Sequence, residues 1–152
     1  MLNRREALAH SLKVAALLAA AGLLPQRALA AYSAAAFDMK SLAEVIKALG
    51  GSTPAESKDV TLTGPDIAEN GAVVPVAAST TLAGVKKLAI LVEKNPNMLS
   101  AVFDVSDAVE ANFNTRVKMA QTSNVYAVAL MNDGRALYAE KEIKVTLGGC
   151  GG

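Results

Sequence analysis

Residues 125–146, VYAVALMNDGRALYAEKEIKVT, read as two extended runs around a turn. Val125 to Leu130 reads as a strand. Asn132-Asp133-Gly134 is a strong hairpin signal, because Asn, Asp and Gly tolerate the backbone angles of a tight reversal. The returning strand runs from about Ala136 to Thr146. Its alternation slips near Lys141, which predicts a bulge there.

The same two-residue period extends backward through the chain. Val60-Thr61-Leu62 reads as a short strand and Gly64-Pro65-Asp66 as a turn. Val73 to Ala78 is extended, and Pro75 inside it predicts an edge position or a bulge. Leu88, Ile90 and Val92 share one face of a strand, and Asn95-Pro96-Asn97 turns the chain. Leu99, Ala101, Phe103 and Val105 alternate with Ser100, Val102 and Asp104. Phe113, Thr115, Val117 and Met119 alternate with Asn114, Arg116 and Lys118. Ahead of these strands, Ala31 to Leu49 has a helical period, with Phe37, Leu42, Val45, Ile46 and Leu49 on one side as core. Gly50-Gly51 ends it. One helix followed by about seven short strands, with no helices alternating between them, predicts an immunoglobulin-like antiparallel β-sandwich.

Forward from the hairpin, the last strand feeds into Leu147 and then Gly148-Gly149-Cys150-Gly151-Gly152. Cys150 is the sole cysteine of the 152 residues. Glycines on both sides leave the backbone free and put no side chain beside the sulfur. Nothing around Cys150 could bury it as a small hydrophobe. From Leu147 the thiol can reach about 10 Å, at 3.3–3.6 Å per extended residue. The segment 148–152 is therefore expected to be a swinging arm, with residues 31–147 as its handle. A frayed end with an idle cysteine and an inter-chain disulfide through Cys150 are the competing readings.

The N-terminus reads as an export signal. Asn3-Arg4-Arg5-Glu6-Ala7-Leu8 carries paired arginines, an apolar run spans Val14 to Leu24, and Ala28-Leu29-Ala30 offers small residues for cleavage after Ala30. Arg4 and Arg5, with Leu8 three places on, resemble the twin-arginine signal, although a bulky apolar residue is more usual at Ala7. The run is too short and alanine-rich for a membrane anchor. The expected division is 1–30 signal, 31–147 N-terminal helix plus β-sandwich and 148–152 arm, with the mature protein in the periplasm and no membrane attachment after cleavage.

Cleavage would remove four of the 15 basic residues and one of the 14 acids, leaving 11 and 13 and a net charge of −2. That argues against nucleic acid as a partner. His10 would leave too, so the mature chain would hold no histidine and one cysteine. A zinc or copper site then lacks ligands, and serine–histidine or cysteine–histidine catalysis lacks its base. No catalytic residue, metal ligand or cofactor site is expected.

Three stretches together resemble one family. They are Gly64 to Val76, GPDIAENGAVVPV; Val92 to Pro96, VEKNP, with Thr115 to Gln121, TRVKMAQ; and the terminal GGCGG. The chain resembles the SoxY family of the bacterial sulfur-oxidation (Sox) system, over nearly its whole length. The resemblance implies that Cys150 is the covalent attachment site for thiosulfate-derived intermediates. It implies a heterodimer with SoxZ and transient docking to a Sox cytochrome, a sulfate-releasing hydrolase and, where present, a sulfane dehydrogenase. It also implies a carrier and not an enzyme. The residues agree, because a thiolate is the reacting species and Cys150 has only glycines and the terminal carboxylate beside it. That negative charge disfavours the thiolate, so the visited enzyme must activate it.

Two rival readings stand beside this one. A Gly-Gly terminus also suits a ubiquitin-like carrier bearing a thiocarboxylate, which the export signal and the strand count oppose. A disulfide-linked structural subunit would use Cys150 for dimerisation alone. Among the internal residues, Asp66, Glu69 and Asn70 read as a turn or partner-binding loop more than as a metal or acid–base cluster. Lys94, Arg116 and Lys118 read as a solvated strand face more than as an anion site, and Met119 and Tyr126 as core or interface.

Overall fold

The computed structural model describes Asn3, His10, Lys13 and residues 34–147. The chain divides into two units, Met1–Tyr32 and Ser33–Gly152, and the second holds every element that follows. It is mainly β, an immunoglobulin-like sandwich with helices on one face. The strands are β1 (Pro54–Glu56), β2 (Val60–Thr63), β3 (Ile67–Ala68), β4 (Val74–Thr80), β5 (Val85–Val92), β6 (Leu99–Asp104), β7 (Asn112–Val117), β8 (Ser123–Met131) and β9 (Ala136–Val145). The larger sheet has the order β1-β9-β8-β5-β6, with β3 also on β9; the smaller is β2-β4-β7.

The core explains the strand composition. Leu88, Ile90 and Val92 of β5 and Val125, Ala127 and Ala129 of β8 face the smaller sheet, where they meet Val74, Val76, Ala78 and Val117. The alternate residues Ala89, Leu91, Val128 and Leu130 form a second cluster with Val45 and Ile46 from the helical segment. β5 and β8 are therefore covered on both faces, and both carry long apolar runs instead of a clean alternation. Burying a side chain such as Leu88 or Ile90 fully contributes about 1.5–3 kcal/mol.

The expected single helix is two: α1 (Ala34–Asp38) and α2 (Leu42–Ala48). Ser41 divides them. Its backbone is extended, and its hydroxyl accepts the Glu44 N–H at 3.3 Å, so it starts a new helix. Gly50, at φ 87°, lets the chain leave α2. Gly51 then passes so close to the sheet that a Cβ there would lie 2.5 Å from Leu130 Cδ2 and 2.7 Å from Ile46 Cγ2.

The β8–β9 hairpin forms as expected, with Gly134 at φ 87° and the Met131 N–H donating to Arg135 at 2.9 Å. The bulge near Lys141 does not form: pairing runs without a shift from Ser123↔Ile143 to Leu130↔Ala136. Lys141 instead occupies the sandwich-facing side of β9, in line with Leu137, Ala139, Ile143 and Val145. A cation at an apolar position, not an extra residue, interrupts the pattern.

Two further strand expectations are refined. Leu99 does not share a face with Ala101 and Phe103. The pairing of β5 with β6 shifts from Ile90↔Ala101 to Leu91↔Leu99, skipping Ser100, and this turns Leu99 to the helix side. Pro75 lies in the central strand of the smaller sheet. β2 ends opposite Ala77, however, so at Pro75 only β7 flanks β4, and an edge position is recovered locally. Among the described residues, nine strands exceed the expected seven because β1 and β3, of three and two residues, add parallel to β9.

Candidate functional site

The site of interest is the end of β9, from which the glycine–cysteine segment continues. Cys150 and Gly148, Gly149, Gly151 and Gly152 lie outside the described residues, as do Arg4, Arg5 and Ala30. The chain is followed as far as Leu147, and its anchoring there is dense.

Each residue of that end has a named partner. The Lys144 N–H donates to the Asp66 carbonyl at 3.0 Å, and the Thr146 N–H to the Ala68 carbonyl at 3.1 Å. The Thr146 hydroxyl donates to the Glu69 carbonyl at 3.0 Å. The Gly71 N–H donates to the Leu147 carbonyl at 2.8 Å, and the Gly71 carbonyl accepts from Met119 at 2.7 Å. On the other flank the Val145 N–H donates to Thr122 Oγ1 at 2.9 Å. Gly64 to Gly71 is thus the splint along the terminal strand, in part as β3 and in part as the start of the loop to β4.

Side chains lock that splint. Lys141 Nζ lies 2.8 Å from Asp66 Oδ1 and donates to the Gly64 carbonyl at 2.6 Å. The hydrogen bond and charge of Lys141 hold the Asp66 carboxyl below its usual range. Asn70 Oδ1 accepts the Ala72 N–H at 2.8 Å, closing the turn that presents Gly71.

The second pair of stretches is joined by one residue. Asn95 Nδ2 donates to the Lys118 carbonyl at 2.7 Å, and its Oδ1 accepts the Ala120 N–H at 3.1 Å. The Lys94 N–H donates to the hydroxyl of Ser123, the buried polar residue among those described. These bonds fix Met119 to Ser123, and so Thr122, beside Val145.

The expected roles sort accordingly. Asp66, Glu69 and Asn70 lie in the segment that is bonded along β9. Among the described residues, no group of three or more His, Cys, Asp or Glu could hold a metal ion. Lys94, Arg116 and Lys118 are exposed. Met119 is fully buried, and Tyr126 packs edge-on to Tyr138 at 5.9 Å on the helix side. Burial pushes the Tyr126 hydroxyl pKa up. Sequence reasoning missed Lys141, Thr122 and Thr146 as anchors. An inward lysine within an apolar alternation was the signal for the first; hydroxyls at strand ends gave none for the others.

The family profile of the sulfur oxidation protein SoxY matches residues 46–150. The chain belongs to the SoxY family. The match takes in both anchoring stretches and ends on Cys150. A solved structure of the sulfur carrier protein SoxY from Chlorobium limicola f thiosulfatophilum is similar at 34% identity and a TM-score of 0.62, covering 68% of this chain and 94% of that one. A single-substitution variant of the superoxide reductase (neelaredoxin) from Ignicoccus hospitalis superposes at a TM-score of 0.54 with 16% identity, covering 70% and 99%. At that identity the likeness concerns the fold alone. No curated protein sequence matches this one significantly.

Proposed function

We propose that this SoxY-family protein is a covalent sulfur carrier of thiosulfate oxidation, with Cys150 as the attachment site. The observation that supports it most is the contrast along the last strand. β9 and the residues after it are tied at Lys144, Val145, Thr146 and Leu147. A glycine-flanked thiol then follows within three residues. A firm base with a short glycine arm suits delivery of a bound group into another protein's active site.

The chemistry assigned to the arm balances without a catalytic residue in this chain. Joining thiosulfate to the Cys150 thiol forms one sulfur–sulfur bond, releases the thiol proton and passes two electrons to a cytochrome partner. Water then displaces the sulfone end as sulfate in a hydrolase, leaving a persulfide on Cys150. A sulfane dehydrogenase, where present, oxidises the outer sulfur to the sulfonate level with oxygen from water and passes six electrons to an electron-transfer partner, and hydrolysis then releases a second sulfate and frees the Cys150 thiol. The protein is therefore read as a carrier, partnered by SoxZ, exported by the twin-arginine route after signal cleavage at Ala30, and resident in the periplasm. The SoxY kinship favours this reading over a thiocarboxylate carrier or a disulfide-linked structural subunit.

A Cys150→Ser variant tests the proposal. Thiosulfate-dependent electron transfer in the reconstituted system should disappear with the fold intact. Undiminished transfer would refute it.

A further inference from the structure

β6 and β7 are edge strands of the two sheets. The stacked rings of Phe103 and Phe113, 4.4 Å apart, hold these edges together. Beside that stack a groove of about 240 Å³ opens between them, and its lining includes Asn97, Ser100, Thr115, Arg116 and Lys118. Among the described residues, no carboxylate lines it. The local fold accounts for each contributor. Arg116 and Lys118 are exposed and alternate with the buried Val117 and Met119. Ser100 is the residue that the β5–β6 pairing skips between Ile90↔Ala101 and Leu91↔Leu99, and a bulge of this kind re-aims a side chain. Asn97 lies in the turn between β5 and β6.

None of these five side chains has a hydrogen-bond or ionic partner among the described residues. Lys87, Arg135 and Lys141, by contrast, are paired with Asp104, Asp133 and Asp66. Two further cations border the same turn. Lys94 precedes Asn95, and Lys40 Nζ donates to the Pro96 carbonyl. Glu93 of that turn does not line the groove. Positive charge is thus gathered here on a chain that would be net acidic after cleavage. A cleft lined by one sign of charge draws in ions of the other.

We propose that this groove is an anion subsite for the sulfonate end of the group carried on Cys150. The inference rests on the carrier reading above. A sulfonate presents oxygens that only accept hydrogen bonds, and Arg and Lys side chains only donate them. The hydroxyls of Ser100 and Thr115 and the amide of Asn97 can donate to the same oxygens. The volume suits an ion of a few atoms, since pockets for drug-sized molecules begin at about 300 Å³.

Free thiosulfate would offer the same oxygens, and the tether favours the carried group. The Leu147 carbonyl accepts the Gly71 N–H at 2.8 Å, and the Gly71 carbonyl accepts the Met119 N–H at 2.7 Å. Backbones bonded side by side lie about 4.8 Å apart, which puts Met119 about 10 Å from Leu147. Gly148, Gly149 and Cys150 span about 10 Å when extended, and the cysteine side chain with its thiosulfonate adds to that. The charged end therefore reaches Lys118. Seated there, it would rest against the carrier between visits to the enzymes.

The test follows backbone amide resonances of the full chain. In the Cys150→Ser protein, sodium thiosulfate at constant ionic strength should shift the Asn97, Ser100 and Lys118 amides saturably. Adding Arg116→Gln/Lys118→Gln should weaken that titration about tenfold or more, with an unchanged melting temperature. Lys58→Gln, outside the groove, should leave it as it was. With Cys150 charged as the thiosulfonate, the same amides should already be shifted, and added thiosulfate should no longer move them. A titration that does not saturate, or that the double variant leaves unaltered, would overturn the subsite. Saturation by free thiosulfate without any shift on charging Cys150 would overturn its assignment to the carried group. Thiosulfate-dependent turnover retained by Cys150→Ser would instead remove the carrier reading, and the thiosulfate titration would still judge the groove.

Discussion

Lys141 Nζ lies 2.8 Å from Asp66 Oδ1 and also holds the Gly64 carbonyl at 2.6 Å. One ammonium thus ties the strand that leads to Cys150 to the loop that splints it. Lys141→Met keeps the aliphatic stem and removes both bonds. Loss of the carbonyl bond alone should cost about 1 kcal/mol of stability. Urea denaturation measures this, and hydrogen exchange at the Lys144 and Thr146 amides should quicken, because those amides donate to the same loop.

The pair also sets a pH dependence. Lys141 lowers the Asp66 pKa below its unfolded value. Its stabilisation is therefore complete above the unfolded carboxylate pKa and is lost as pH falls through the depressed folded one. Asp66→Asn should be less stable than native protein at neutral pH. The two should converge in acid, below the ordinary carboxylate range. Denaturation of both proteins across that range checks the sign, and a constant difference would contradict it.

Gly51 is a packing position. A Cβ there meets Leu130 Cδ2 at 2.5 Å and Ile46 Cγ2 at 2.7 Å. Gly51→Ala should destabilise the fold by about 1–3 kcal/mol through overpacking between α2 and the sheet. Gly50→Ala should also cost stability, but through its left-handed backbone, since nothing lies within 4 Å of a Cβ at that position. Melting curves of the two variants, and of Gly51→Ala combined with Leu130→Ala, separate the causes. The added Leu130 truncation should relieve the clash in the first case.

Asn95 joins two distant turns through its amide. Asn95→Ala removes bonds to Lys118 and Ala120 and should cost about 1–3 kcal/mol. Thr122→Val removes the acceptor for Val145 and should accelerate exchange at that amide with a small change in global stability. Exchange measured by residue distinguishes the local effect from the global one.

The hairpin at Asn132-Asp133-Gly134 and the inward faces of β5 and β7 are legible in the sequence because turn chemistry and a two-residue period are local signals. The departures arise where a tertiary partner decides. Ser41 divides the helical segment by capping α2, and Ser41 with Glu44 is a readable start signal within an otherwise continuous pattern. Lys141 mimics a slipped register because its countercharge, Asp66, is remote in sequence. β1 and β3 are too short to carry a period and exist because β9 offers an edge. The stretches around Asp66 and Asn95 carry a family resemblance that does not reveal their purpose. Their hydrogen bonds to β9 and to the Met119–Ser123 turn are long-range, and no spacing rule contains them.

Intact-mass and peptide mass spectrometry of the protein, after turnover with thiosulfate and its cytochrome partner, tests the central proposal most directly. The account predicts one thiosulfate-derived group on the peptide that contains Cys150, removed by a thiol reductant and absent from Cys150→Ser. An unmodified Cys150 during active turnover, or sulfur in place of oxygen at the terminal carboxylate, would contradict it.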